Sequence, residues 1–167
     1  ILGKTGNPVH LDRIEPLLER EPGAVRQSAV TAYCRIRGRA AADRAVLWIK
    51  EDDPGIRLSA MAGIRGRCGP DMDRMIEDLV IRGLGDSRFE AREAAVHAAG
   101  VLQLANLIPE LAAIFRQGVH REAAAGALEK MGPSVLAPIA PMLADNSMGE
   151  PCRSRLCHVT AAAGGES

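Results

Sequence analysis

The sequence predicts an all-α fold of about five helix pairs stacked into a superhelix, and three observations predict it. An arginine recurs at Arg26, Arg57, Arg92, Arg121 and Arg153, with spacings of 31, 35, 29 and 32 residues. Self-similarity at such a period marks a repeat architecture. Small or apolar residues follow each arginine at offsets +3, +6, +7 and +10, which fall on one face of an α-helix. Aromatic residues are nearly absent, with Tyr33, Trp48, Phe89 and Phe115 the whole set, while alanine is abundant. Small side chains let helix axes approach closely, whereas strands favour β-branched and aromatic residues.

The five copies read in order. The first places Ala29, Ala32, Tyr33 and Ile36 on the stripe. The second places Ala60, Gly63 and Ile64 there, and Arg67 breaks it. The third has Ala95, Ala98, Ala99 and Leu102; the fourth has Ala124, Ala127, Leu128 and Met131. The fifth, Leu156, Val159, Thr160 and Ala163, is the most degenerate. Turn and cap residues precede most of these helices: Glu21-Pro22-Gly23, Asp52-Asp53-Pro54-Gly55, Asp86-Ser87 and Glu150-Pro151. Asp or Ser accepts orphan N–H bonds at a helix start, and Pro is tolerated in the first turn. Gly38, Gly132 and Gly164 stand where the helices should stop. Between them lie second amphipathic stretches over about 9–19, 39–51, 70–82, 107–116 and 133–143. Their stripes include Ile14, Leu17 and Leu18, then Val46, Leu47 and Ile49, then Met75, Ile76 and Leu79. The unit is helix–turn–helix, and pairs of this kind share a continuous core only when stacked.

The runs Asp53-Pro54, Ile56-Arg57 and Ala60, and likewise Val25-Arg26, Ala29 and Ala32, resemble the second helix of HEAT repeats. The short unit is similar to the HEAT-like repeats of bacteria and of bilin-lyase relatives; the arginine-rich, lysine-poor composition also suits a GC-rich bacterial genome. The resemblance covers nearly the whole chain and implies a right-handed α-α superhelix, armadillo-like, forming a single domain over 1–167. It implies that the register arginines pair with acidic residues of the preceding turns, Glu21, Asp52, Asp86 and Glu150, as a ladder between repeats, although nothing acidic closely precedes Arg121. It also implies that the second helices line a concave face. A protein-contact surface there would use Gln27, Val30, Thr31, Cys34, Met61, Arg65, Val96, His97, Glu129 and His158.

Charge and chemistry narrow the function. Lys+Arg and Asp+Glu both total 21, so the formal net charge is zero. A nucleic-acid binder usually shows a basic excess, and base stacking wants aromatics the chain lacks; no nucleic-acid partner is expected. No apolar run of about 20 residues suggests a membrane span. Cys34, Cys68, Cys152 and Cys157 lack the close spacing of a zinc site; they read as free thiols in a reducing, cytoplasmic setting. Cys152, Cys157 and His158 diverge around a helix, so no metal is expected. Gly3-Lys4-Thr5 lacks the rest of a phosphate-binding loop. Asp43 and Trp48 share a helix, and some HEAT-like DNA glycosylases use Trp and Asp, but the basic concave face with several aromatic residues of those enzymes is missing. His10, His97 and His120 stand alone, and no nucleophile, base and orienting group assemble.

The sequence therefore predicts a non-catalytic interaction or scaffold module without cofactor, binding a protein partner or a neighbouring domain. An enzyme-associated domain of the bilin-lyase or DNA-glycosylase type is the alternative. Arg35, Arg37, Arg39, Arg65 and Arg67 form a candidate patch for an anion or acidic partner. The absence of polar end caps predicts a segment of a longer protein, with weak self-association through an end.

Overall fold

The structure is a computed structural model and describes residues 10–20, 23–145 and 147–165. Among these residues it holds ten α-helices and no strand. They are α1 (Leu11–Arg20), α2 (Ala24–Arg37), α3 (Ala42–Ile49), α4 (Pro54–Ile64), α5 (Pro70–Leu84), α6 (Phe89–Val101), α7 (Ile108–Gln117), α8 (Arg121–Lys130), α9 (Leu136–Leu143) and α10 (Glu150–Gly164). Short 3-10 turns at Gly38–Ala41, Ala105–Leu107 and Gly132–Val135 lead into α3, α7 and α9. The chain gathers into two compact units, Ile1–Glu77 and Asp78–Ser167, the division falling inside α5.

In the first unit α1 lies against α2, α3 lies against α4, and α2 and α4 run side by side. Ile14 and Leu18, Val30 and Tyr33, Ala45 and Trp48, and Ile56, Ala60 and Ile64 bring the four helices to one core. Helix α4 starts where the sequence predicts. The Asp53 carboxylate accepts from the backbone N–H of Gly55 at 2.7 Å and of Ile56 at 3.3 Å, and Pro54 occupies the first turn. Gly38 ends α2 at φ 54°, where a side chain would be strained. In the second unit α8 packs against α6, α7 and α10, and α9 lies against α10. Its core is Leu and Ala around one ring, Phe115, which is fully buried with Leu104, Leu111, Ala124, Leu128 and Leu156. The recurring alanines Ala29, Ala60, Ala95 and Ala124 are all buried, at 0–8% exposure.

Neighbouring second helices approach closely enough to exclude side chains. A Cβ on Gly63 of α4 would stand 2.5 Å from the Cβ of Cys34 in α2. A Cβ on Gly100 of α6 would stand 2.6 Å from the Cα of Ala127 in α8.

The register arginines act differently from the expected acidic ladder. Each donates to a main-chain carbonyl at or just beyond the end of the helix before it. Arg26 Nε reaches Leu18 O at 2.7 Å, and Arg57 reaches the carbonyls of Glu51 and Asp52, both at 2.8 Å. Two nitrogens of Arg92 reach Asp86 O at 2.8 and 3.1 Å; Arg121 reaches Phe115 O at 3.2 Å and Arg153 reaches Met148 O at 3.3 Å. Leu18 and Phe115 offer orphan carbonyls of a last helical turn; the other acceptors are carbonyls of the turns that follow, and a forked cation can satisfy either kind. A carboxylate is added twice: Arg26 grips Glu51 of the following pair with two bonds of 2.8 Å, and Arg153 lies 3.9 Å from Glu150. The Asp86 carboxylate turns instead to Arg88, and Glu21 lies outside the described residues.

Smaller differences have local causes. In α3 the buried stripe is Ala45, Trp48 and Ile49, while Leu47 is 66% exposed, because the large ring takes the inward position. In α5 Ile76 and Val80 are buried, and Met75 and Leu79 are half-buried. Helix α10 runs through Gly164. Gly3-Lys4-Thr5 and Pro22 lie outside the described residues.

Candidate protein-contact surface

The five clustered arginines belong to the first unit. Arg35 and Arg37 occupy the last turn of α2, Arg39 the 3-10 turn after it, Arg65 the C-cap of α4, and Arg67 the loop beyond. Side-by-side packing brings these helix ends together, and the Cys68 thiol lies 3.6 Å from Gly38 O between them. Cations there complement the negative end of each helix dipole. Arg35, Arg37, Arg39 and Arg67 are exposed, and Arg65 is half-buried. Arg37 lies 3.4 Å from Glu15. Among the described residues Arg35, Arg39 and Arg67 have no carboxylate within ion-pair distance. The patch is a local positive excess on a chain of zero net charge.

The concave-face set divides. Val30, Cys34 and Val96 have 0% exposure and Met61 has 8%, so these four are core residues and not contact surface. The physical reason is that a second helix is covered by its own first helix and by the neighbouring second helix. The buried stripe is therefore wider than offsets +3, +6, +7 and +10, and takes in +4 in the first four copies and, at Cys34, +8. Burial pushes the Cys34 thiol up to about 12, which leaves it protonated and inert. Gln27, Thr31, Arg65 and Glu129 are half-buried, and His97 and His158 are exposed. Several of these face a neighbouring helix. A Cβ on Gly55 would run into the Gln27 carboxamide, and Thr31 donates to Ser59 O at 3.2 Å. Glu129 and Glu122 hold Arg155 of α10 at 2.5 and 2.9 Å. His97 Nδ1 lies 3.5 Å from Lys130 Nζ, and burial, with Lys130 second, holds this imidazole below its ordinary range.

The residues weighed for catalysis and metal binding are scattered. Trp48 is 5% exposed, stands edge-on to Tyr33 at 5.5 Å and lies under Arg44 at 5.2 Å, while Asp43 is exposed. Such a ring is part of the core, stiffened by a cation–π contact. All four cysteines are free. Among the described residues no group of three or more His, Cys, Asp or Glu is placed to hold a metal ion, and no helix is long and apolar enough to cross a membrane. His10 is half-buried. His120 is 8% exposed and stacks under Phe89 at 4.1 Å, a pairing that no offset in the sequence pointed to. No family model matches this chain, and no curated protein is significantly similar to it.

Proposed function

We propose that the chain is a non-catalytic module of HEAT-like repeats, wound as a right-handed α-α superhelix, that binds an acidic segment of a protein partner or neighbouring domain. The observation that supports this reading is the arginine edge of the first unit. Arg35, Arg39 and Arg67 are exposed there without a carboxylate partner among the described residues. Guanidinium groups take carboxylates in bidentate geometry, and a fixed cluster of them steers an acidic segment toward the edge. Side-by-side packing of α2 and α4 brings the helix ends that carry the cluster together, so the cluster is held before a partner arrives.

The test is titration of a fluorescein-labelled polyglutamate peptide with the chain, read by anisotropy. Binding is expected at low salt. It should weaken roughly tenfold or more when added salt shortens the screening length to about 8 Å or less. The triple variant Arg35→Glu, Arg39→Glu, Arg67→Glu should abolish it without altering the circular dichroism melt. Undiminished binding by the triple variant would overturn the assignment of the edge. Tighter binding of a single-stranded oligonucleotide than of the peptide would overturn the acidic-polypeptide reading.

A further inference from the structure

The loop that follows α4 carries Arg65 and Arg67, and one peptide plane inside it decides where the second of them stands. Arg65 at φ −55°, ψ 131° and Gly66 at φ 71° are the central residues of a type II turn, closed by Arg67 N–H donating to Ile64 O at 2.9 Å. The Arg65–Gly66 peptide is held at both of its polar groups. Its carbonyl accepts from Arg67 Nη1 at 3.1 Å, and its N–H donates to the Asp73 carboxylate, in the first turn of α5, at 2.8 Å. Further along, the Cys68 thiol donates to Gly38 O, beside the α2 end that carries Arg35 and Arg37. Burial pushes this thiol up, the Asp73 carboxylate adds to the effect, and Arg39 and Arg67 oppose it, so all three charges lie near one sulfur.

Glycine takes either sign of φ readily. Turning the Arg65–Gly66 peptide over converts the type II turn into type I, whose third residue lies at a φ of about −90°. The carbonyl and the N–H then exchange sides, and the Arg67 guanidinium loses its anchor. A Cβ on Gly66 would meet nothing within 4 Å, so no packed side chain pins the plane there. The two bonds to the plane do so, and only the one from Asp73 comes from outside the turn. A carboxylate that holds a backbone N–H makes a charge-assisted bond, and Asp73 forms no ion pair among the described residues.

We propose that Asp73 is a positioning residue of the arginine edge: by fixing the Arg65–Gly66 peptide it fixes the Arg67 guanidinium where an acidic segment meets it. This role rests on the acidic-partner reading of the edge, and it gives a negative residue a part in binding an anion that charge alone would deny it.

Charge and position pull in opposite directions, which makes the role testable. Asp73→Asn removes the charge and keeps an acceptor oxygen; Asp73→Ala removes both. Fluorescein-labelled polyglutamate is titrated with the full chain and with each variant, read by anisotropy, with a circular dichroism melt for each. Asp73→Asn should bind as tightly as wild type or tighter. Asp73→Ala should bind roughly three- to fivefold more weakly than Asp73→Asn, the scale of one exposed ion pair. Arg67→Gln should weaken binding in the Asp73→Asn background and change little in the Asp73→Ala background, whereas Arg35→Gln should weaken both alike. A purely structural role would make no such difference between the two arginines. Equal affinities of the two Asp73 variants, or an Arg67→Gln effect of the same size in both backgrounds, overturns the proposal. If Asp73→Ala melts early, exchange of the Gly66 amide in the wild-type chain decides: protection is expected, and exchange at the rate of an open amide overturns the proposal. A wild-type chain that ignores the peptide removes the acidic-partner reading and the role of Asp73 with it. That outcome is distinct from a wild type that binds while the two Asp73 variants stay equal, which removes the role alone.

Discussion

The α2–α4 joint and the α6–α8 joint solve one problem with the glycine on opposite sides. In the first, the later helix carries it, Gly63 against Cys34; in the second, the earlier helix carries it, Gly100 against Ala127. What the two joints share is the small combined volume at the crossing, not a residue at a fixed offset. They differ in what flanks the crossing. The first has a neutral hydroxyl bond, Thr31 to Ser59 O, and the ionic grip of Arg26 on Glu51. The second has an imidazole, His97, beside Lys130.

The largest expected effect breaks the second joint. Gly100→Val puts atoms against the backbone of Ala127, which cannot rotate away, and should cost roughly 3 kcal/mol in urea unfolding, the upper range for overpacking. Gly63→Ala sets a single carbon 2.5 Å from the Cys34 Cβ and 3.1 Å from the Thr31 carbonyl, neither of which can rotate away, and should cost about 1–3 kcal/mol. Adding Cys34→Gly moves the glycine to the earlier helix, as in the α6–α8 joint, and the double variant should be more stable than the sum of the single effects. Gly126→Ala in α8, with open space around the added Cβ, should instead stabilise by about 1 kcal/mol through helix propensity.

Next in size is the brace that sets the first joint apart. Arg26→Ala removes a carbonyl bond and a two-bond grip on Glu51 and should cost about 2 kcal/mol. Arg121→Ala loses one carbonyl bond and should cost about half as much. Equal losses in the two variants would show that the link to Glu51 contributes nothing.

The smallest effect is a pH dependence confined to the second joint. The His97 imidazole is held below its ordinary value in the folded chain, so the unfolded chain takes up this proton first as pH falls. Its contribution to stability is present above a pH of about 6.5 and is lost as pH falls through the folded value. Urea midpoints measured over that window should decline in the wild type, and His97→Gln should flatten part of the decline.

The sequence made the helix pairs legible because each second helix keeps one apolar stripe with a period the α-helix imposes. The burial of Ala29, Ala60, Ala95 and Ala124 followed from that stripe. The contact surface was less legible. A step of about 100° per residue sets +4 some 60° beyond +7, which looks outward on an isolated helix. In the fold that sector is covered, so Val30, Met61 and Val96 are inside. The arginine edge was readable because its members sit at helix ends, whose position depends on local stop signals such as Gly38. The targets of the register arginines were not readable. Their acceptors are carbonyls, which every residue has and no letter of the sequence marks.

That anonymity has an evolutionary consequence. Leu18, Asp86, Phe115 and Met148 serve the same purpose at four turns with four unrelated side chains. Substitutions at the accepting residue leave the brace untouched, and a flexible guanidinium can reach whichever carbonyl a lengthened or shortened turn presents. A lineage built on this device is free to drift in the wording and length of its turns while keeping their geometry, and the spacing of its arginines, wandering from 29 to 35 residues, is what such freedom looks like.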